Sequence, residues 1–293
     1  MKHPNKKILV PIDFSSQSYI GLEQAYNLAK INNASISLLH IINEAGPLWS
    51  IYTEDEKPVV IDKLRNKILE FAHKLIKDEN FKLKVHIRQG KLCETIIRIS
   101  EEHDFDFIVM GTSTADNIKK KIIGSNALRV VSEAYCPVIT IKGKHFRPEC
   151  DNIILPLDLT KETKEKVTNA LHFGRLFNAK VFVVSIVSME DEFINKRLNT
   201  QLKQVEDFLT KGNVECSTDL IHCNDKTRSE CLIDYIHNNQ GDMIIITTHQ
   251  QPLGILKYFM GSFAQEIIHG VDIPVMSIVP RLQQNVASSF TGL

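Results

Sequence analysis

A glycine-containing segment in the first half of the sequence has the residue types of a phosphate-binding loop. Residues 110–114 read MGTST, and after nine further residues the sequence GSN at 124–126 begins a helical pattern. A glycine after a buried strand lets the backbone approach a ligand closely, and free N–H groups at a helix N-terminus attract phosphate. The spacing therefore predicts a phosphate cradle. The lysines at 119–121 either draw phosphate to this loop or form a solvated surface.

One aspartate follows the first apolar run of each half. Asp13 comes after ILVPI, and Asp158 comes after IILPL. Ligands of open α/β sheets bind at the carboxyl ends of the strands, so an aspartate in this position can contact a ligand. The same residue type also caps the helix that follows a strand. Both roles stay open, and Asp13 can serve both.

Histidines and cysteines give only weak support for metal or redox chemistry. His222 and His249 lack a second ligand at metal spacing, and His40 at the end of a strand fits packing better than ligand contact. The cysteines contain no CxxC pair, in a chain too large to depend on disulfides, so we expect them to be reduced apolar packing residues. They are Cys93, Cys136, Cys150, Cys216, Cys223 and Cys231.

Motifs of dedicated enzymes are missing from the sequence. It contains no GxxxxGK[ST] loop, no GxGxxG fingerprint, no GxSxG elbow and no HExxH pair. No spacing argument pairs two carboxylates for acid–base work. We therefore expect a protein that is not an enzyme.

The elements that must position these residues form an internal repeat. The segment at 8–15, ILVPIDFS, returns at 153–160 as IILPLDLT, which is an offset of 145 residues. Near the end of each half the offset falls to 137, which aligns Gly124 with Gly261. The second copy is therefore shorter, and we place the missing residues in the proline-containing loop at 47–58.

Strand and helix patterns alternate within each copy. Apolar β-branched runs predict strands, and apolar residues at 3.6-residue spacing predict helices between them. This alternation predicts an α/β fold of two tandem Rossmann-like domains, each a five-stranded parallel sheet with helices on both faces. Asp13, Ile41 and Gly111 then lie together at the carboxyl ends of the strands. We call this opening the first mouth, and the matching opening of the second copy, at Asp158, the second mouth. In the first copy the strands are predicted at 7–12, 35–42, 81–88, 105–110 and 138–141, and the helices at 16–32, 59–78, 93–103 and 125–135.

Length and composition set the boundaries and the class of protein. The 293 residues suffice for two domains, which we place at 1–143 and 150–281, with a tail at 282–293 that we expect to be mobile. Lys+Arg and Asp+Glu both number 35, so net charge favours neither nucleic acid nor a membrane as partner. No run approaches the ~20 apolar residues of a membrane span, and the N-terminus resembles a first strand more than a signal peptide. We expect a cytoplasmic protein.

The glycine spacing resembles the G-x2-G-x9-G-[S/T] pattern of universal stress proteins of the ATP-binding type. The Pro-Ile-Asp strand end, the LLHII strand and the Cys-Pro-Val strand are also similar to that family, so the resemblance covers nearly all of both copies. It implies an adenine nucleotide alpha hydrolase-like fold and a role in stress response. It also implies that the copies pair through their last strands, at 138–141 and 275–279, while a homodimer and an unknown protein partner stay open.

Carried over by position, the resemblance implies ATP binding in the first copy, accompanied by Mg²⁺, and it leaves slow ATP hydrolysis open. Asp13 and Ile41 would contact the base, and the glycine loop would hold ribose and phosphates. Thr114 stands where the family has its second glycine. This β-branched residue either donates a hydrogen bond to phosphate from its hydroxyl or prevents phosphate from binding. The candidate set is Pro11, Asp13, Ile41, Met110, Gly111, Thr114, Gly124, Ser125 and Asn126.

The second copy departs further from the family pattern. Thr248 and Gln251 replace the two early glycines, which leaves Asp158 and the Gly-Ser pair at 261–262. We expect no nucleotide site there. Two functions remain: a nucleotide-responsive, stress-associated regulator that binds ATP in the first domain, or a non-nucleotide-binding interaction or scaffold protein with both pockets degenerate.

Overall fold

The computed structural model describes residues 6–43, 46–78, 80–112, 124–142, 149–159, 163–188, 191–248 and 262–280. Thr114, Gln251, Gly261, the lysines at 119–121 and the tail at 282–293 lie outside these ranges. What the sequence predicts for them stays a prediction. Within the described ranges, no helix is both long enough and apolar enough to cross a bilayer.

The first repeat follows the predicted alternation. Its first helix begins where the hydroxyl of Ser15 accepts a hydrogen bond from the N–H of Ser18, and it ends at Asn33 in the left-handed conformation, with φ of 49°. The elements are β1 (Lys7–Pro11), α1 (Ser16–Asn32), β2 (Ser35–Ile42), α2 (Pro47–Ser50), α3 (Glu56–His73), β3 (Leu83–Gln89), α4 (Leu92–Glu102), β4 (Phe107–Thr112), α5 (Ser125–Glu133) and β5 (Val138–Lys142).

The second repeat has the same order, without a counterpart of α2 in its described residues. The connection before its second helix covers 188–191, whereas the matching connection between β2 and α3 covers 43–55. The shortening predicted from the change in repeat offset therefore lies here. The elements are β6 (Asn152–Leu157), α6 (Thr163–Phe177), β7 (Lys180–Val187), α7 (Glu192–Lys211), β8 (Cys216–His222), α8 (Arg228–Asn238), β9 (Met243–Thr247), α9 (Ser262–Gly270) and β10 (Val275–Ile278).

The strands form one continuous sheet in the order β3-β2-β1-β4-β5-β10-β9-β6-β7-β8. The five strands of each repeat are parallel, which confirms the predicted fold class. β5 and β10 pair antiparallel, with Thr140 opposite Val275 and Ile139 opposite Met276. The last strands therefore join the two repeats, and the predicted internal pairing is confirmed.

Two apolar cores cover the two faces of this sheet, and each core runs through both repeats. Side chains of α1, α3, α6 and α7 supply the helical part of one core, and those of α4, α5, α8 and α9 supply the other. The rings of Phe107 and Phe173 meet across the repeats at a centroid distance of 5.5 Å. Burial of these faces, more than helix propensity, stabilises the short helices.

The third helix differs from its predicted bounds. It begins at Glu56 and ends at His73, whereas the sequence analysis placed it at 59–78. The carboxylate of Glu56 accepts hydrogen bonds from the N–H and the hydroxyl of Thr53, which starts the helix earlier. Pro58 lies in the first turn, where its missing N–H removes no intrahelical bond.

The expectation that all cysteines are reduced is wrong for one pair. Cys223 follows β8 and Cys231 lies in α8, and the turn between them brings their Cα atoms to 6.4 Å, where the two sulfurs are bonded as a disulfide. Cys93, Cys136 and Cys150 are not disulfide-bonded and are buried in the cores, as expected.

Candidate functional site

Several predicted site residues lie at one edge of the sheet. β1 pairs in parallel with β2 on one side and β4 on the other, so the carboxyl ends of these strands point the same way. Asp13 follows β1, Ile41 is near the end of β2, and Gly111 is near the end of β4. Pro11 and Met110 belong to the same strand ends. The structure thus brings together the residues for which the sequence predicted a common mouth.

The carboxylate of Asp13 is held by the start of α1. Its Oδ1 accepts hydrogen bonds from the N–H (3.0 Å) and the hydroxyl (2.5 Å) of Ser15. Partial burial alone would raise the pKa of Asp13, but the hydrogen bonds from Ser15 and Ser18 outweigh it and hold that pKa below its ordinary value. Asp13 is therefore an ionised acceptor at neutral pH.

His40, which the sequence analysis assigned to packing, also fixes the backbone next to Asp13. Its Nδ1 lies 2.8 Å from the carbonyl oxygen of Ile12, and the N–H of Ile12 donates to the carbonyl of Leu39 at 2.8 Å. The His40 ring packs on Phe14 at a centroid distance of 5.2 Å. His40 thus finds its partners inside the protein and positions the turn that carries Asp13.

Gly111 packs against the backbone of α1 at the place where any other residue would carry its Cβ. A Cβ at Gly111 would lie 1.7 Å from the carbonyl oxygen of Gln17, and a Cβ at Gly21 would lie 2.6 Å from the nitrogen of Gly111. The two glycines let α1 lie directly on β4. The sequence predicts that Gly111 lets a ligand approach, but it gives no signal for Gly21, because the docking of a helix on a strand leaves no local pattern.

The first turn of α5 supplies exposed backbone donors. Gly124 is the N-cap residue, with no side-chain cap, and Ser125 and Asn126 begin the helix. All three are exposed. The first N–H groups of a helix have no intrahelical partner, and the macrodipole adds partial positive charge there. The Cys93 thiol lies 3.5 Å from Oδ1 of Asn126, a contact that the sequence analysis missed.

The second mouth holds a lysine where the first has a glycine. Lys166 is 3% exposed; its ammonium donates to the carbonyl oxygen of Pro156 at 3.0 Å and lies 4.0 Å from Oδ1 of Asp158. The repeat offset of 145 aligns Lys166 with Gly21. The cavity at the ends of β6, β7 and β9 has a volume of about 50 Å³. A residue-by-residue comparison of the two copies could have found this exchange from sequence.

Comparison with known proteins finds one family twice in the chain. The model described as "Universal stress protein family" matches residues 4–142 and 149–278. Two universal stress proteins of Methanocaldococcus jannaschii are each 29% identical to this chain, one over 140 residues (47% of this chain, 82% of the relative) and the other over 157 (48% and 96%). Each relative therefore corresponds to about one repeat.

A solved structure matches the tandem arrangement. The crystal structure of a universal stress protein from Archaeoglobus fulgidus aligns with a TM-score of 0.77 at 18% identity, over 95% of this chain and 100% of that chain. At this identity the likeness shows the fold alone.

Proposed function

Because the chain belongs to the universal stress protein family, we propose that its first repeat binds an adenine nucleotide, with ATP as the expected ligand. The second repeat has lost that site. The protein acts in the cytoplasm as a nucleotide-responsive, stress-associated regulator, and its two domains span 1–143 and 150–281.

The observation that carries this proposal is an ionised acceptor and a set of exposed backbone donors at one edge of the sheet. Asp13, oriented by Ser15, accepts hydrogen bonds and therefore suits the exocyclic amino group of adenine. The first turn of α5, from Gly124 to Asn126, offers N–H groups and a positive dipole end, which suit phosphate. A ligand with an amino-bearing base at one end and phosphates at the other matches both features.

Magnesium would arrive with the nucleotide. Mg²⁺ keeps several waters and usually binds through substrate phosphates and one or two carboxylates. In the part of the chain that the structure describes, no group of three or more His, Cys, Asp or Glu side chains could hold a metal ion. An ion carried by the phosphates therefore fits this edge better than one held by a protein cage.

An interaction or scaffold protein without nucleotide is the second candidate. Thr114 favours it, since a branched side chain stands where the family pattern has a glycine beside phosphate. The mouth of the first repeat would then be a remnant, and function would lie in a surface for a protein partner. Neither candidate requires catalysis.

Isothermal titration calorimetry with ATP and Mg²⁺ separates the two candidates. Gly124→Val puts a branched side chain at the N-cap of α5, where phosphate would approach, so it should abolish ATP binding while circular dichroism shows a folded protein. Gly261→Val, at the aligned position of the second repeat, is the matched control and should leave binding unchanged. Full affinity in Gly124→Val, or no binding by the wild type, would rule out the proposed site.

A further inference from the structure

Lys166 contacts the second-repeat counterparts of two residues in the candidate nucleotide site, Pro11 and Asp13. The repeat offset of 145 relates Pro11 to Pro156 and Asp13 to Asp158. The Lys166 ammonium donates to the Pro156 carbonyl at 3.0 Å and lies 4.0 Å from the Asp158 carboxylate. A cationic N–H donor thus contacts the counterpart of Asp13, the acceptor that we assign to the amino group of the base.

The place of Lys166 is unfavourable for a cation without these partners. Its side chain is buried, and a buried ammonium is costly unless it is paired and hydrogen-bonded. It also lies near the start of α6, where the helix dipole disfavours positive charge. The Pro156 carbonyl and the Asp158 carboxylate offset both effects. They therefore anchor the ammonium at this edge.

We propose that Lys166 is a built-in occupant of the second mouth and that its side chain excludes an adenine base from this repeat. The inference rests on the proposed function for the identity of the base, and it names the residue that sets the difference between the repeats. In the first repeat the same helix position is Gly21, which adds no side chain and lies against Gly111. The counterpart of Gly111 is Thr248, which is 1% exposed, so the second repeat lacks this glycine pair.

The space left beside Lys166 is far smaller than an ordinary ligand pocket. The cavity measures about 50 Å³, whereas pockets for drug-sized ligands measure roughly 300–1,000 Å³. Its lining includes Asp158, Thr247 and Phe263, which are an acceptor, a hydroxyl and an aromatic face. Truncation of the lysine stem enlarges this cavity and leaves the acceptor in place.

Calorimetric titration of Lys166→Ala with adenosine tests the proposal. Adenosine is the probe because the second repeat lacks the early glycines of the phosphate loop. We expect one more adenosine per chain than in the wild type, and loss of that additional site in the double variant Lys166→Ala with Asp158→Ala. Unchanged stoichiometry in folded Lys166→Ala would overturn the proposal.

The test compares the number of adenosine molecules bound per chain by the variant and by the wild type, so it does not depend on whether the first repeat binds nucleotide. Failure of the proposed function would appear as a wild-type protein that binds no nucleotide. Lys166→Met is the control, since it keeps most of the stem and removes the charge. It should gain no site; an additional adenosine in this variant would show that the stem does not fill the space.

Acetylation of the native wild-type protein keeps the proposal testable if Lys166→Ala does not fold. With N-hydroxysuccinimide acetate and mass spectrometry, Lys166 should react more than about tenfold slower than an exposed lysine, because it reacts only through local opening. Lys91, whose side chain is 80% exposed, is the reference. Equal rates for the two lysines in the folded protein would show that the ammonium leaves the mouth, against the proposal.

Discussion

At the scale of single residues, Ser15 orients the carboxylate of Asp13. Its hydroxyl donates to Oδ1 of Asp13 at 2.5 Å and accepts from the N–H of Ser18 at 3.1 Å, as the cap of α1. The sequence left two roles open for Asp13, ligand contact and helix cap. In the structure Ser15 is the N-cap of α1. The Asp13 carboxylate accepts hydrogen bonds from Ser15 and lies at the first mouth.

Ser15→Ala should raise the pKa of Asp13 and destabilise the protein. The depressed pKa of Asp13 contributes stability above its unfolded-state value, near 3.8, and this contribution is lost as pH falls through the lower folded-state value. Without the Ser15 hydroxyl the folded-state pKa moves toward 3.8, so the contribution shrinks. Loss of the cap lowers the free energy of unfolding by about 1 kcal/mol at neutral pH.

An NMR titration of the Asp13 carboxyl and urea unfolding at pH 7 measure these two effects. Ser16→Ala, at the exposed neighbouring position, is the matched control and should change neither quantity. An Asp13 pKa that stays the same in Ser15→Ala would show that the hydroxyl does not hold the carboxylate.

At the scale of elements, the contact of α1 with β4 shapes the first mouth. Gly21 and Gly111 let the helix backbone touch the strand, which sets the start of α1 beside the end of β4. Asp13 and Ser15 are carried on that helix start. The separation of these two elements therefore decides where the Asp13 carboxylate lies relative to the end of β4.

Gly111→Ala should push α1 away from β4. The added Cβ would lie 1.7 Å from the Gln17 carbonyl oxygen, and this atom is backbone that cannot turn aside. We expect a loss of about 3 kcal/mol in the free energy of unfolding, the upper range for overpacking. Thr248→Ala is the control, since the second repeat already carries a Cβ there, and should cost about 1 kcal/mol. Urea unfolding that gives Gly111→Ala wild-type stability would contradict the close packing.

Strand and helix order could be predicted from sequence because it depends on residues that are neighbours along the chain. The apolar run at 35–42 is β2 with the predicted bounds, and the capped pattern from Ser15 is α1. The edge at which Asp13, Ile41 and Gly111 meet followed from parallel-sheet topology.

Contacts between elements could not be predicted, because they depend on how helices dock. The clash that only glycine avoids at Gly111, and the reach of Lys166 to the Pro156 carbonyl, are set by the height of a helix above the sheet. The disulfide of Cys223 and Cys231 likewise depends on the turn between β8 and α8. The roles of Thr114 and the rest of the glycine loop stay predictions.

At the scale of the whole molecule, Lys142 ties the two repeats together beyond the pairing of β5 and β10. It ends β5, is 4% exposed, and donates from its ammonium to the carbonyl oxygen of His269 at 2.6 Å. It also lies 3.6 Å from Oδ1 of Asp272. A cation at the C-terminal end of α9 is favourable, because the helix dipole is negative there. In the sheet, Lys142 lies opposite Thr112, which ends β4 within the glycine-containing segment at 110–114.

Lys142→Ala should weaken the link between the repeats. It removes a charged hydrogen bond and an ion pair. We expect this loss to lower the free energy of unfolding, measured by urea denaturation, by about 2 kcal/mol. Lys91→Ala, at a side chain that is 80% exposed, is the control and should change it by less than about 0.5 kcal/mol. Equal, small effects for both variants would show that the repeats do not depend on this contact.

Native mass spectrometry of freshly purified protein, followed by titration with ATP and Mg²⁺, tests the central claim most directly. The claim is that the first repeat binds an adenine nucleotide and that the second is closed. We expect one nucleotide per chain, retained on purification or bound on titration. Two nucleotides per chain would contradict the closed second mouth, and none at saturating ATP would contradict the site at Asp13 and the first turn of α5.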